Sequence, residues 1–118
     1  MTSLEVVKQV VKTLDDKKAE NIDVLRIGDL TIMADYFVIA STTNSTHVKS
    51  LVDEVEYQLK EQGVAPLRIE GYQYANWVIL DYGDVVVHIF HEETRNYYNL
   101  DRLWSDGEQV DIQSLLKD

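Results

Sequence analysis

The sequence predicts a single mixed α/β domain, a β-sheet of about five strands flanked by helices. Three observations predict it. Two segments repeat apolar residues at helical spacing. Five others are short runs of β-branched and aromatic residues bounded by turn signals. The two kinds interleave along 118 residues, a length that fits one domain.

The first element reads as a helix. Leu4, Val7, Val11 and Leu14 share one face, and Thr2 with Glu5 has the spacing of a capping box. Lys17 and Lys18 fall in the last turn, where cations suit the helix dipole. Val24-Leu25-Arg26-Ile27 is a short strand stopped by Gly28-Asp29. Tyr36 to Ala40 is a largely buried strand. Ser41 to Ser45 supplies side-chain oxygens for an N-cap, and a second helix follows from about Thr46 to Gln62. Its stripe is Val48, Leu51, Val52, Val55 and Leu59, with Gly63 and Pro66 as stops. Leu67 to Glu70 alternates like a half-covered strand. Trp77 to Leu80 and Val85 to Phe90 are nearly continuous apolar strands joined by the tight turn Asp81-Tyr82-Gly83-Asp84. Arg95, Tyr98, Leu100, Leu103 and Trp104 suggest a short helix or irregular segment packing back on the body. Residues 1–105 then form the domain, and 106–118 a loosely held C-terminal tail. The expected core is Val7, Val11, Leu14, Phe37, Ile39, Val52, Val55, Leu59, Val86 and Ile89. The second helix implies a crossover between the strands it connects, and strand order stays open.

Composition narrows the function classes. Hydrophobic content of 45% and charged content of 27% are ordinary for a globular protein. The absence of cysteine excludes disulfides and thiolate metal sites, and fits a reducing cytosol. The first residues lack the basic head and apolar run of a signal peptide, and no apolar stretch approaches the roughly 20 residues that span a bilayer. The expected location is cytoplasmic. A net charge of −10 disfavours broad docking on phosphate backbone, which depends on Lys and Arg displacing counterions. It favours a basic partner surface.

Each residue of a type that carries chemistry also has a blander role. His88 and His91 are three apart on one strand, so they point to opposite faces and share a metal only if the chain bends after Phe90. His47, in the first turn of the second helix, suits a capping or surface role. Asp81 and Asp84 bracket a turn, and Asp35 precedes a strand. Paired aspartates near a Ser/Thr-rich loop can hold magnesium for nucleotidyl or phosphoryl transfer. No phosphate-binding glycine loop accompanies them, and Asp and Gly are what a tight turn needs anyway. No serine sits in a nucleophile elbow. No cofactor is implied. Tyr72, Tyr74, Trp77 and Tyr82 cluster around the long hairpin. Trp77 is either core or an interface anchor, the role in which Trp and Tyr are enriched.

Three stretches resemble one family. Asp35-Tyr36-Phe37-Val38-Ile39-Ala40-Ser41 followed by His47-Val48 is similar to the first signature of the Iojap-like ribosomal silencing factors. Glu70-Gly71, Trp77 and the run Asp81-Tyr82-Gly83-Asp84-Val85-Val86-Val87-His88 resemble the second. Arg95, Tyr98, Leu100 and Arg102-Leu103-Trp104 resemble the third. The resemblance covers residues 4 to 104, nearly the whole chain. Thr42 stands where the family usually has glycine, so the loop before the second helix is expected to differ in shape. The resemblance implies a nucleotidyltransferase-like fold without catalysis. It implies binding to a basic large-subunit ribosomal protein at the intersubunit face, with little direct contact to nucleic acid. It further implies steric block of subunit joining, repression of translation, a role in late large-subunit assembly, and a homodimer when free. Glu70, Trp77, Asp81, Tyr82, Gly83, Asp84 and His88 are the expected partner-binding residues, with Trp77 the aromatic centre and the acidic turn its rim. The alternative is a metal-dependent nucleotidyl or phosphoryl transferase built on Asp81 and Asp84.

Overall fold

The computed structural model describes residues 1–28, 34–98 and 107–117. The capping box at the start of the chain forms. Thr2 Oγ1 accepts the Glu5 amide at 3.2 Å, and Glu5 Oε1 accepts the Thr2 amide at 2.8 Å. The helix it opens, α1, runs Ser3–Asp16. Its buried stripe is wider than the one read from spacing: Val6 and Val10 join Val7, Val11 and Leu14, while Leu4 stays exposed. The second helix, α2, runs Ser45–Glu61 from an Asn44 cap, with all five predicted stripe residues buried.

Six strands occur among the described residues: β1 Glu20–Arg26, β2 Tyr36–Thr42, β3 Arg68–Glu70, β4 Trp77–Asp81, β5 Val85–His91 and β6 Glu108–Val110. They form one mixed sheet in the order β3-β4-β5-β2-β1-β6. β2 and β5 are parallel at its centre, and every other pairing is antiparallel. β3 therefore runs parallel to β2, as a crossover through α2 allows, but two strands lie between them. β1 starts four residues earlier than Val24. Asn21, at φ 51°, bulges the strand there, a left-handed conformation that asparagine tolerates.

Thr42, where the family usually has glycine, is part of β2. It extends β2 in register with His91, and its hydroxyl bonds His47 Nδ1. His47 Nε2 meets the Lys17 carbonyl at 2.8 Å. A carbonyl only accepts, so Nε2 carries the proton and Nδ1 accepts from Thr42. His47 thereby ties the start of α2 to the end of α1.

Both long helices lie on one face of the sheet. Their stripes meet Val24, Val38, Ala40, Val78, Leu80, Val85, Val87 and Ile89 in the larger core. Two further helices complete the described chain: α3, Glu92–Tyr98, directly after β5, and α4, Ile112–Leu116. The end of the chain corrects the expectation of a loose tail. β6 pairs with β1, and α4 buries Leu115 in the larger core beside α1. Three strand residues and one buried leucine are too short a signal for periodicity to detect. The expected packing of Leu100, Leu103 and Trp104, and the Asp29 turn, lie outside the described residues.

Candidate partner-docking face

Alternation along the strands sends a second set of side chains to the face away from α1 and α2. Register lines them up in rows. At one end are Arg68, Asp81, Val86, Phe37 and Leu25. The middle row is Glu70, Ile79, His88, Ile39 and Asp23, and the far row Trp77, Phe90 and Ser41. Leu25, Ile27, Ala34, Ile39 and Phe90 are buried here, while Phe37, Trp77 and Val86 are partly exposed. Phe37 and Val86 were expected in the core. They sit on this outer face, whose cover among the described residues is thinner than the helix layer opposite.

The rings form a connected group. Trp77 stacks on Phe90 with centroids 4.9 Å apart and meets Tyr98 of α3 at 5.2 Å. Phe37 packs edge-on to His88 at 4.7 Å. Trp77 Nε1 donates to His88 Nδ1 at 3.1 Å, which fixes the indole over the sheet. His88 is itself only 5% exposed, so it supports Trp77 from below rather than offering contact area. Tyr97 leans edge-on against Tyr98, and both are exposed.

Behind Trp77 lies a loop that composition described only as polar and aromatic. Gly71 turns it at φ +83°, and a Cβ there would stand 2.2 Å from the Trp77 carbonyl oxygen. Only glycine fits. Buried Ala75 follows at φ 55°, its amide bonded to the Gly71 carbonyl. The loop is moored to α2 by Tyr72, whose hydroxyl donates to Asp53 at 3.1 Å.

The predicted site residues do not form one compact surface. Glu70, Trp77, Asp81 and His88 share the outer face. Trp77 and Asp81 occupy opposite ends of β4, about 13 Å apart at roughly 3.3 Å per residue. Asp81 accepts Arg68 at 3.3 Å and the Gly83 amide at 2.8 Å, so it shapes the turn as well as charging the face. Tyr82 turns to the helix side and packs half-buried against the larger core. Burial, and after it the Glu56 carboxylate, pushes its hydroxyl far above the usual tyrosine range. Asp84 faces the first turn of α1, where Ser3 Oγ lies 3.4 Å from it and 3.5 Å from Asp35. Asp81 and Asp84 thus take different partners instead of converging. Among the described residues no group of three or more acidic, histidine or cysteine side chains could hold a metal.

Charge divides between the faces. All seven lysines lie on α1, on α2 or in the segments just after α1 and α4. On the outer side, exposed Arg68 pairs with Asp81 and buried Arg95 with Asp23. Glu70 stands exposed on the same side. Sequence reasoning missed Ile79, Phe90, Gly71 and Arg95 as contributors. Strand alternation carries a signal for the first two, since both are in phase with Trp77 or His88.

Comparison with known proteins gives the family of the chain. The family model described as "Ribosomal silencing factor during starvation" matches residues 1–118. Ribosomal silencing factor RsfS of Halalkalibacterium halodurans is 38% identical over 116 residues, covering 98% of this chain and 99% of its own length. RsfS of Bacillus subtilis is 38% identical over 112 residues, 95% of each chain. A mouse protein named mitochondrial assembly of ribosomal large subunit protein 1 is 30% identical over 102 residues, 84% of this chain and 45% of its own. A crystal structure of a Chromobacterium violaceum protein superposes with a TM-score of 0.87 at 33% identity, covering 94% of this chain and 92% of the other. With a match along its full length and relatives of equal length, the chain belongs to the RsfS family of ribosomal silencing factors.

Proposed function

We propose that the chain silences ribosomes by docking the outer face of its sheet on a basic protein of the large subunit, where its bulk blocks subunit joining. The observation that carries this is the face itself: a connected aromatic group bordered by carboxylates, on the side of the sheet that holds no lysine. Half-exposed aromatic centres with polar rims are what protein interfaces are made of. Net charge of −10 disfavours ribosomal RNA as the main contact and speeds approach to a basic protein. The name of the mouse relative supports the large subunit over the small. Glu70, Trp77 and Asp81 touch the partner in this reading, while His88 and Gly83 hold them in place. Tyr82 and Asp84 contribute at most from the edge. When free, two copies pair through the same apolar face, which is costly to leave in water. The cell compartment is the cytoplasm, where free subunits are found. No helix among the described residues is long and apolar enough to cross a membrane.

Sedimentation with isolated large and small subunits tests the proposal. Co-migration with the large subunit alone is expected, together with fewer joined ribosomes when the chain is added first. Binding that survives removal of the partner protein but not digestion of the RNA overturns it.

A further inference from the structure

We infer that Arg95 is a positioning residue for docking: its guanidinium clasps α3 to the sheet and so sets Tyr97 and Tyr98 beside Trp77. The inference rests on the docking reading above and adds to it a part that no aromatic residue supplies. α3 has seven residues, and the one buried among them is Arg95, at 8% exposure. No apolar side chain of α3 is buried, and Tyr97 and Tyr98 are 83% and 53% exposed. A helix this short is unstable by itself, so something outside it must hold it. Arg95 does so with a fork that reaches two strands. One nitrogen donates to the Asn21 carbonyl and to Ser41 Oγ, the latter at 3.2 Å, and the other donates to Asp23 Oδ2 at 2.8 Å. The Asn21 bulge aims that carbonyl at the guanidinium, which accounts for the left-handed residue in β1. Asp23 in turn accepts from Gln109 of β6 at 3.1 Å, so the end of the chain braces the same carboxylate. A planar fork with several fixed donors suits this task, and a lysine ammonium does not reproduce it. The outcome at the surface is the 5.2 Å contact of Tyr98 with Trp77.

The test uses the full chain with Arg95→Met, Tyr98→Ala and the double variant. Hydrogen exchange of the 92–98 segment and affinity for isolated large subunits are both read. Arg95→Met should speed exchange in that segment about tenfold or more while α1 and α2 keep their protection. It should weaken affinity about tenfold, and Tyr98→Ala should add little to it, because the tyrosine has already lost its place. A purely stabilising arginine predicts full additivity with Tyr98→Ala in the folded fraction, and that result overturns the inference, as does unchanged exchange of 92–98. If Arg95→Met fails to fold, Arg95→Lys keeps the charge but loses the fork, and the same two readouts decide. If the unaltered chain does not bind large subunits, the docking reading fails, while exchange of 92–98 still decides whether Arg95 holds α3.

Discussion

The sheet face under α1 and α2 is made of valine, leucine and isoleucine at near-zero exposure, whereas the opposite face carries Phe37, Trp77, Ile79, His88 and Phe90 at mixed exposure. The first set has no polar requirement beyond being dry, and α1 and α2, with Leu115 of α4, cover it. The second set is tied by directional contacts: an indole–imidazole hydrogen bond, stacked rings and an arginine clasp. The difference separates two tasks. The helix-side core makes the fold stable, and the outer face spends part of its apolar area on exposure that stability alone does not call for. Mutations on the two faces should therefore move different quantities.

The largest effect belongs to the helix side. Leu51 is fully buried between α2 and the sheet. Leu51→Ala should cost about 2–5 kcal/mol of folding stability, read by denaturant unfolding. Affinity of the folded fraction for the large subunit should not change. A comparable loss of affinity would show that the two faces are not separable.

Trp77→Ala should give the opposite pattern. Affinity should fall by about 2 kcal/mol or more, as for a hot-spot aromatic. Stability should fall by about 1–3 kcal/mol, less than for a fully buried aromatic, because part of the indole is already in water. A large stability loss with unchanged affinity would return Trp77 to the core. Gly71→Ala probes the same position through the backbone. With a Cβ placed 2.2 Å from the Trp77 carbonyl, the loop must move, and more than about 1 kcal/mol of stability should go with it.

These two faces were not equally legible in the sequence. The helix stripes, the caps and five of the six described strands follow from period and turn chemistry, because each is a local pattern. β6 and α4 escaped because both are short and gain their place only by pairing with β1 and burying Leu115. Trp77 and the hairpin were visible as an aromatic cluster. Which way Tyr82 and Asp84 turn was not, since a four-residue turn reverses side-chain direction without any mark in composition. Arg95 was visible as part of a segment packing back on the body, but what it would clasp was not. Its partners Asn21, Asp23 and Ser41 are more than fifty residues away in sequence, and no local rule joins them.

A sharper contrast lies between two acidic residues that the sequence grouped together, one ending β3 and one in the hairpin turn. Glu70 is exposed on the outer face, while Asp84 faces the start of α1. Charge reversal at a rim changes the association rate more than the dissociation rate. Glu70→Lys should slow association with large subunits severalfold at low salt, an effect below about 1 kcal/mol. Asp84→Lys should slow it less. Stopped-flow traces over a salt series separate them, and a greater effect at Asp84 would move the docking surface toward the hairpin turn.

The smallest effect is at the start of α1, far from any proposed contact. The Glu5 carboxylate is held below its ordinary value of 4.5, first by the Thr2 backbone amide and then by the Thr2 side chain. A depressed carboxylate contributes stability that is present above the unfolded-state value and lost as pH falls through the lower folded value. Protonation leaves the carboxyl a weaker acceptor for the Thr2 amide and removes the negative charge that favours a helix N-terminus. Glu5→Gln keeps the shape of the capping box and deletes only the titrating charge. The unaltered chain should therefore melt slightly above Glu5→Gln at neutral pH, and the gap should close as the pH is lowered from about 5 to 3. Large-subunit affinity at neutral pH should be the same for both. A gap that stays constant with pH would mean that the capping charge contributes nothing and the box acts through geometry alone. A change in affinity would place the first turn of α1 at the ribosome, and would blur the division between a face that stabilises and a face that docks.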